Sequence, residues 1–146
     1  MRKKFLGAIL FVTAACAPDA ERAAPDAAAG PEADAIRGLM DAFNAHDADA
    51  MRAYWTDDVT WIEITGNSSS VVTNSADALH DSLVAYFEAY PDVSSSLENI
   101  VVNGDYLSAV ERPVWSQGGE RKSQSSIVVY EFRDGKVKRF WYYPAQ

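Results

Sequence analysis

Hydrophobic side chains change their spacing midway along this chain, from a helical period in the first half to alternation in the second. Ile36, Leu39 and Phe43 recur at the spacing of one helix face, which predicts an amphipathic helix over about residues 33 to 46. From Val93 onward apolar and polar residues alternate, as is typical of strands with one buried face. Helices followed by strands favour an α+β domain.

Two further helices are predicted before the alternating region. Asp47 favours the start of a short second helix, because its carboxylate can cap free N–H groups. A third helix begins near residue 74 or 75 and ends before Pro91, which cannot continue it. Between these two helices we expect one strand over residues 59–65 and a polar loop over residues 66–70.

The second half of the chain contains four long strand-like runs, over residues 95–102, 106–116, 122–133 and 136–143. Asp134-Gly135 separates the last two, and this dipeptide favours a two-residue hairpin turn with positive φ. Pro113 lies inside the second run, where it removes a ladder donor, so we expect a bulge or bend there. Hairpins imply a curved, mostly antiparallel sheet. Three helices from the N-terminal half of the chain would cover its open side and enclose a cone.

Residues 1–15 have the composition of a removable export signal. Basic residues at positions 2–4 precede an apolar stretch over residues 5–12, which is too short for a membrane span of roughly 20 residues. Small residues then lead to Cys16. Because Cys16 is the only cysteine of the chain, no intramolecular disulfide can form.

The Thr-Ala-Ala-Cys run at residues 13–16 resembles the lipobox of bacterial lipoproteins. The resemblance implies a lipid on Cys16 and a periplasmic location, and Ala17, where an aspartate would favour inner-membrane retention, favours the outer membrane. An ordinary signal peptide with an unmodified cysteine is the alternative. Residues 16–32 lack large apolar side chains, which predicts a flexible tether. Residues 33–146 then form one domain.

Charge and motif content exclude several classes of partner. The formal net charge is −8, with 21 acidic and 13 basic residues, and this argues against binding nucleic acid. The sequence contains no phosphate-binding glycine loop and no dinucleotide fingerprint. His46 and His80 are distant from each other in sequence and have no cysteine beside them. We therefore expect neither a metal nor a cofactor.

Glu63 is the only carboxylate in the strand-like run 59–65, and alternation places it on the same side as Trp61. If that side faces an apolar cavity, loss of water raises the pKa of Glu63 and makes it a candidate proton-transfer group. If that side faces water, Glu63 only adds solubility.

Glu111 shares its side of the second long strand with Pro113 and Trp115, which would let it complete the same pocket. Glutamate is rarely fully buried, however. We therefore expect Glu111 to be a solvated charge.

Three segments resemble the SnoaL-like group of the nuclear transport factor 2 superfamily: DAFNAHD at residues 41–47, WTDDV at 55–59 and YEFRDGKV at 130–137. The resemblance covers about residues 33–143 and implies the cone-shaped fold. Members of this superfamily include polyketide cyclases, ketosteroid isomerase, dehydratases, and binding or association domains. The segments lie at helix ends and a hairpin, so they indicate fold rather than chemistry.

Similarity to ketosteroid isomerase places Glu63 at the position of the aspartate base. The positions of the two oxyanion donors hold Leu39 and Val128. Steroid-type isomerisation is therefore disfavoured unless another hydroxyl replaces them. The candidates are the tyrosine hydroxyls of Tyr86, Tyr90, Tyr130 and Tyr142.

Three functional hypotheses follow from these features. The first is a domain that binds a small, largely apolar molecule, in which Glu63 fixes the ligand and aromatic side chains supply contact area: Tyr54, Trp61, Tyr86, Tyr90, Trp115, Tyr130, Phe140 and Tyr142. The second is a cofactor-independent isomerase, cyclase or dehydratase in which Glu63 shuttles a proton. The third is an interaction module with a filled cone that forms a homodimer through its sheet.

Overall fold

Three helices lie within residues 28–145, the part of the chain that the computed structural model describes. They are α1 (Pro31–Asn44), α2 (Ala48–Arg52) and α3 (Ala76–Ala89). The carboxylate of Asp47 accepts a hydrogen bond from the Ala50 N–H at the start of α2, as predicted. The Ser75 hydroxyl caps α3 in the same way. The export signal and Cys16 lie outside the described residues.

The sheet has seven strands, which are β1 (Trp55–Thr65), β2 (Ser68–Thr73), β3 (Ser94–Asn103), β4 (Tyr106–Gln117), β5 (Glu120–Ser123), β6 (Ser126–Arg133) and β7 (Lys136–Pro144). Their order is β2-β1-β7-β6-β4-β3, with β5 added to β4. Pairing is antiparallel except between β1 and β7, which are parallel. The sheet is curved and does not close, and the predicted α+β class is confirmed.

The hairpin predicted at Asp134-Gly135 is present between β6 and β7. Both turn residues have positive φ, 54° at Asp134 and 74° at Gly135, because the two-residue turn must match the twist of its strands. The turn pairs Arg133 with Lys136, and a register shift between Glu131 and Phe132 then pairs Tyr130 with Phe140. These two aromatic residues therefore lie on the same face of the sheet.

Two local predictions were wrong. The polar loop predicted over residues 66–70 is only a short turn, because residues 68–70 already belong to the edge strand β2, whose serines pair with the end of β1. The run 122–133 is two strands, β5 and β6, because β4 exchanges partners along its length. Pro113 lies at this exchange, where the Gln124 N–H donates to its carbonyl, and the β3–β4 pairing shows no register shift at that residue.

The helices cover one face of the sheet, and the hydrophobic core lies between them. α1 packs on β3 and β4, α3 packs on β1, and α2 contacts both of the longer helices. Ile36 of α1 and Leu79 of α3 are almost completely buried, and they belong to the same core cluster as Leu107 and Val128 of the sheet. Within residues 28–145, no helix has the length and apolar character needed to cross a bilayer.

Candidate functional site

A cavity of about 350 Å³ lies between the covered face of the sheet and the three helices. Its wall is mainly apolar and aromatic, and is formed by Leu39, Met40, Phe43, Met51, Trp55, Trp61, Leu79, Leu83, Tyr86, Tyr130, Phe140 and Tyr142. A few polar side chains complete it, among them Glu63, Glu111, Ser82, Gln124 and Ser126. The volume lies at the lower end of the range usual for small-molecule pockets.

The cavity wall includes six of the nine side chains predicted to form the site, which are Trp61, Glu63, Tyr86, Tyr130, Phe140 and Tyr142. Trp61 and Glu63 come from β1, because the alternation on that strand directs both toward the helices. Trp61, Phe140 and Tyr142 form a cluster with ring centroids 5.8 to 5.9 Å apart. A functional role for any of these residues stays a prediction.

Tyr54, Trp115 and Tyr90, also predicted for the site, do not line the cavity. Tyr54 packs against α1 at Gly38, where a Cβ atom would lie 2.8 Å from the Tyr54 Cζ. Tyr90 and Trp115 pack edge to face, with centroids 6.0 Å apart. Tyr90 also contacts Tyr86 at 5.1 Å, so this pair supports the wall from behind.

Glu63 brings a carboxylate without a partner into the cavity. It is half-buried and pairs in register with Tyr142 of β7 and Ser70 of β2. Within residues 28–145, its carboxylate has no hydrogen bond or ion pair. The indole N–H of Trp61 is likewise buried without a partner in this part of the chain. The site thus offers one free acceptor and one free donor.

Glu111 is the main correction to the sequence analysis, because its side chain is 5% exposed rather than solvated. The Ser95 hydroxyl donates to one carboxyl oxygen at 3.2 Å, and the Tyr142 hydroxyl donates to the other. Burial raises the pKa of Glu111 to about 7, and the Ser95 hydrogen bond opposes that shift. This carboxyl therefore changes its charge near neutral pH.

A sequence signal for Glu111 was available. Leu107, Ala109 and Glu111 alternate on β4, and all three are buried. The side of the strand that carries two consecutive apolar residues is the side that faces the core. Alternation with Leu107 and Ala109 was therefore a better guide than the general exposure of glutamate.

Two further tyrosines face the buried carboxyl. Burial raises the pKa of Tyr130 well above its ordinary value, and the negative charge of Glu111 adds to the effect. The pKa of Tyr86 is raised for the same two reasons. Both phenols are therefore neutral hydrogen-bond donors at physiological pH.

Ser95 is held by the end of α1. The Asn44 amide donates to the Ser95 carbonyl at 3.0 Å, and its oxygen accepts from the Ser95 N–H at 2.7 Å. This pair of bonds fixes the start of β3, and with it the hydroxyl that contacts Glu111. Asn44 acts on the site only through Ser95.

A second, more open depression contains Asp57 and Asp58. Asp58 forms a two-point ion pair with Arg133, in which one nitrogen donates at 3.1 Å, and these donated hydrogen bonds lower the Asp58 pKa to about 2. The pair joins the start of β1 to the β6–β7 turn. Among residues 28–145, no group of three or more acidic, histidine or cysteine side chains is placed to hold a metal ion.

Comparisons with known proteins agree with the fold. A model of the SnoaL-like domain matches residues 36–140. An uncharacterized cystatin fold protein from Novosphingobium aromaticivorans has 21% identity and a TM-score of 0.67, covering 79% of this chain and 98% of that chain. A candidate SnoaL-like polyketide cyclase from Jannaschia sp. CCS1 has 17% identity and a TM-score of 0.65, covering 78% and 85%.

TerC, a protein crystallized together with polyporic acid, has 15% identity and a TM-score of 0.66, covering 80% of this chain and 92% of that chain. A search of curated proteins gives no match. At these identities the solved structures establish the fold alone. The architecture is that of the nuclear transport factor 2-like cone.

Proposed function

This chain belongs to the family of SnoaL-like domains, and from that premise we propose that it binds a small, largely apolar molecule in its cavity. The observation that carries the proposal is the cavity itself, about 350 Å³ in volume with aromatic and aliphatic walls and few polar groups. Such a site gains affinity from buried apolar area and orients its ligand through a small number of polar contacts.

The polar groups supply the orienting contacts. Glu63 has no partner within residues 28–145, and leaving a half-buried carboxylate unpaired costs free energy that a ligand donor would recover. Similarly folded proteins include a candidate polyketide cyclase and a protein crystallized with polyporic acid. These relatives support an organic molecule as the occupant.

The test is to purify the full chain from its native host and identify what it carries by mass spectrometry. Leu83→Trp should displace the bound molecule, because Leu83 lines the cavity and an indole would fill it. Val84→Trp is the matched control, since Val84 is the next residue of α3 and is 38% exposed. An empty wild-type protein, or equal retention by the two variants, would show that the cavity does not bind a ligand.

A second candidate function is a cofactor-independent isomerase, cyclase or dehydratase in which Glu63 shuttles a proton. The specific observation in its favour is a second carboxyl, Glu111, whose pKa of about 7 suits proton exchange at neutral pH. Chemical conversion of the extracted molecule by wild-type protein, abolished by Glu63→Gln without loss of binding, would favour the enzyme. Release of the unchanged molecule would favour the binding domain.

We also propose a homodimer that forms through the outer face of the sheet. Ile127 and Tyr143 are register partners on that face and are 54% and 42% exposed. Ile127→Lys should lower the molecular mass measured by sedimentation velocity to that of one chain. Val71→Lys, at an exposed position on the edge strand β2, should leave it unchanged. A monomeric wild-type protein would rule out this assembly.

The N-terminal segment supports a location at the periplasmic side of the outer membrane, through a lipid on Cys16. The domain would then be anchored, with residues 16–32 as its tether. Labelling cells with radioactive palmitate should mark the wild-type chain and not the Cys16→Ser variant. Fractionation should recover the unmodified variant away from the membrane. Equal labelling of both chains would refute lipidation at this residue.

A further inference from the structure

All charged side chains in the cavity wall are acidic, and this is informative about the charge of the ligand. Glu63 and Glu111 line the cavity, and no lysine, arginine or histidine of residues 28–145 does so. The arginines of neighbouring strands are paired elsewhere, Arg112 with Glu98 and Arg139 with Glu131. A carboxylate or phosphate ligand would lie among like charges with no counter-ion, which is strongly unfavourable at low dielectric.

One aromatic residue, Tyr142, neighbours Glu63 in the sheet and is hydrogen-bonded to Glu111. Tyr142 is the register partner of Glu63 across the parallel β1–β7 pair, and its hydroxyl donates to Glu111. The Trp61 ring lies 5.9 Å from the Tyr142 ring. Aromatic faces attract cations through their quadrupole, and tryptophan does so most strongly. Carboxyls and aromatic faces together form a surface complementary to positive charge.

From these contacts we propose that the cavity takes an organic cation, an ammonium group on an apolar body, whose charge is held by Glu63 and Glu111 against the Trp61 and Tyr142 rings. The inference rests on the proposed ligand-binding function and specifies its ligand class. The apolar body occupies the aliphatic part of the wall, formed by side chains such as Leu39 and Leu83. A neutral apolar molecule gains only the contact with the aliphatic part of the wall.

The protonation of Glu111 gives the cation a distinctive pH dependence. The groups that face Glu111 are the hydroxyls of Ser95 on β3, Tyr130 on β6 and Tyr142 on β7, and Tyr86 on α3; none is basic. Glu111 is largely protonated below its pKa of about 7. Cation binding favours the ionised form, so affinity for the cation should rise with pH, by about tenfold from pH 6 to pH 8.

Three probes of nearly equal size test the proposal: naphthylmethylamine, naphthylmethanol and naphthoate, titrated into the full chain by calorimetry after removal of any bound molecule. The amine should bind at least about tenfold more tightly than the alcohol at pH 8, and naphthoate should bind most weakly. If the alcohol binds as tightly as the amine, the proposal that the ligand is a cation is refuted, whereas the proposed ligand-binding function is not. No binding by any probe, with nothing extracted from the native protein, refutes both.

Variants locate the effect. Glu63→Gln and Glu111→Gln should each reduce affinity for the amine and leave affinity for the alcohol within about twofold. Glu111→Gln should also remove the rise between pH 6 and pH 8. Glu88→Gln is the matched control, because it removes one exposed carboxylate outside the cavity, changes the net charge equally and leaves the Arg112–Glu98 ion pair in place. If the control lowers the affinity for the amine as much as the two cavity variants do, the preference for the amine over the alcohol comes from long-range attraction to the net charge. That result would overturn the assigned site.

Discussion

The buried carboxyl of Glu111 should make the stability of this domain fall as the pH rises toward neutrality. In the unfolded chain Glu111 ionises near its ordinary pKa of 4.5, whereas burial raises its pKa to about 7 in the folded protein. Below pH 4.5 the carboxyl is protonated in both states and contributes nothing. Between the two values only the folded state retains the proton, so the free energy of unfolding decreases with pH.

The magnitude follows from the separation of the two pKa values. Integrating the linkage relation from pH 5 to pH 8 gives a loss of about 2 to 3 kcal/mol from this one group. Glu111→Gln abolishes the titration. Whatever constant cost the substitution has, for example to the Ser95 and Tyr142 hydrogen bonds, does not vary with pH. The difference in stability between variant and wild type should therefore shift in favour of the variant by that amount.

Urea unfolding followed by tryptophan fluorescence at pH 5, 6, 7 and 8 measures this difference at constant ionic strength. Other groups titrate in the same range, notably His80, whose pKa is raised by the hydrogen bonds that its ring donates to the Asp81 and Asp49 carboxylates. That histidine is present in both proteins, so its contribution cancels. The free energy of unfolding of Glu98→Gln should change with pH in parallel with that of wild type. If the free energy of unfolding of Glu111→Gln also changes in parallel with that of wild type, Glu111 does not take up a proton on folding, and the predicted pH dependence is refuted.

Three smaller predictions concern contacts that support the site. Gly38→Ala should destabilise the domain by about 1 to 3 kcal/mol in urea unfolding, despite a better helix propensity, because the added methyl group overlaps the Tyr54 ring; a neutral or stabilising effect would contradict the close approach. Asn44→Ala should cost about 1 to 2 kcal/mol in urea unfolding by loss of both bonds to Ser95; an unchanged free energy of unfolding would contradict it. Asp58→Asn should lower the stability at neutral pH and lose this effect in acid, since a lowered pKa stabilises the fold above 3.8 and that contribution is lost as the pH falls toward about 2; a difference from wild type that does not shrink as the pH falls through this range would refute it.

Local signals predicted most of the secondary structure. The period of α1, the capping residue Asp47 and the Asp134-Gly135 turn each depend on a few neighbouring residues, so they can be read without knowing the fold. The edge strand β2 was missed because its serines carry no apolar alternation. It is a strand only because the end of β1 offers it a ladder of hydrogen bonds.

The composition of the site was harder to predict, because alternation identifies the two faces of a strand but not which face becomes covered. Trp61 and Glu63 were placed together correctly, since they share one strand. The Tyr54 ring lies outside the cavity wall because it packs into the space that Gly38 leaves on α1. This contact joins two different segments of the chain. The burial of Glu111 follows the alternation of its own strand, which here overrides the average exposure of glutamate.

The parallel pairing of β1 with β7 is the feature on which the candidate site depends most. It joins the N-terminal half of the chain, which supplies Glu63, to the last strand, which supplies Tyr142. Antiparallel pairing through the Asp134-Gly135 turn and then through β6 carries Tyr142 toward Glu111 on β4. A one-residue slip of β1 against β7 would turn Glu63 to the outer face. The two carboxyls therefore share a cavity because of long-range register, which no local pattern in the sequence specifies.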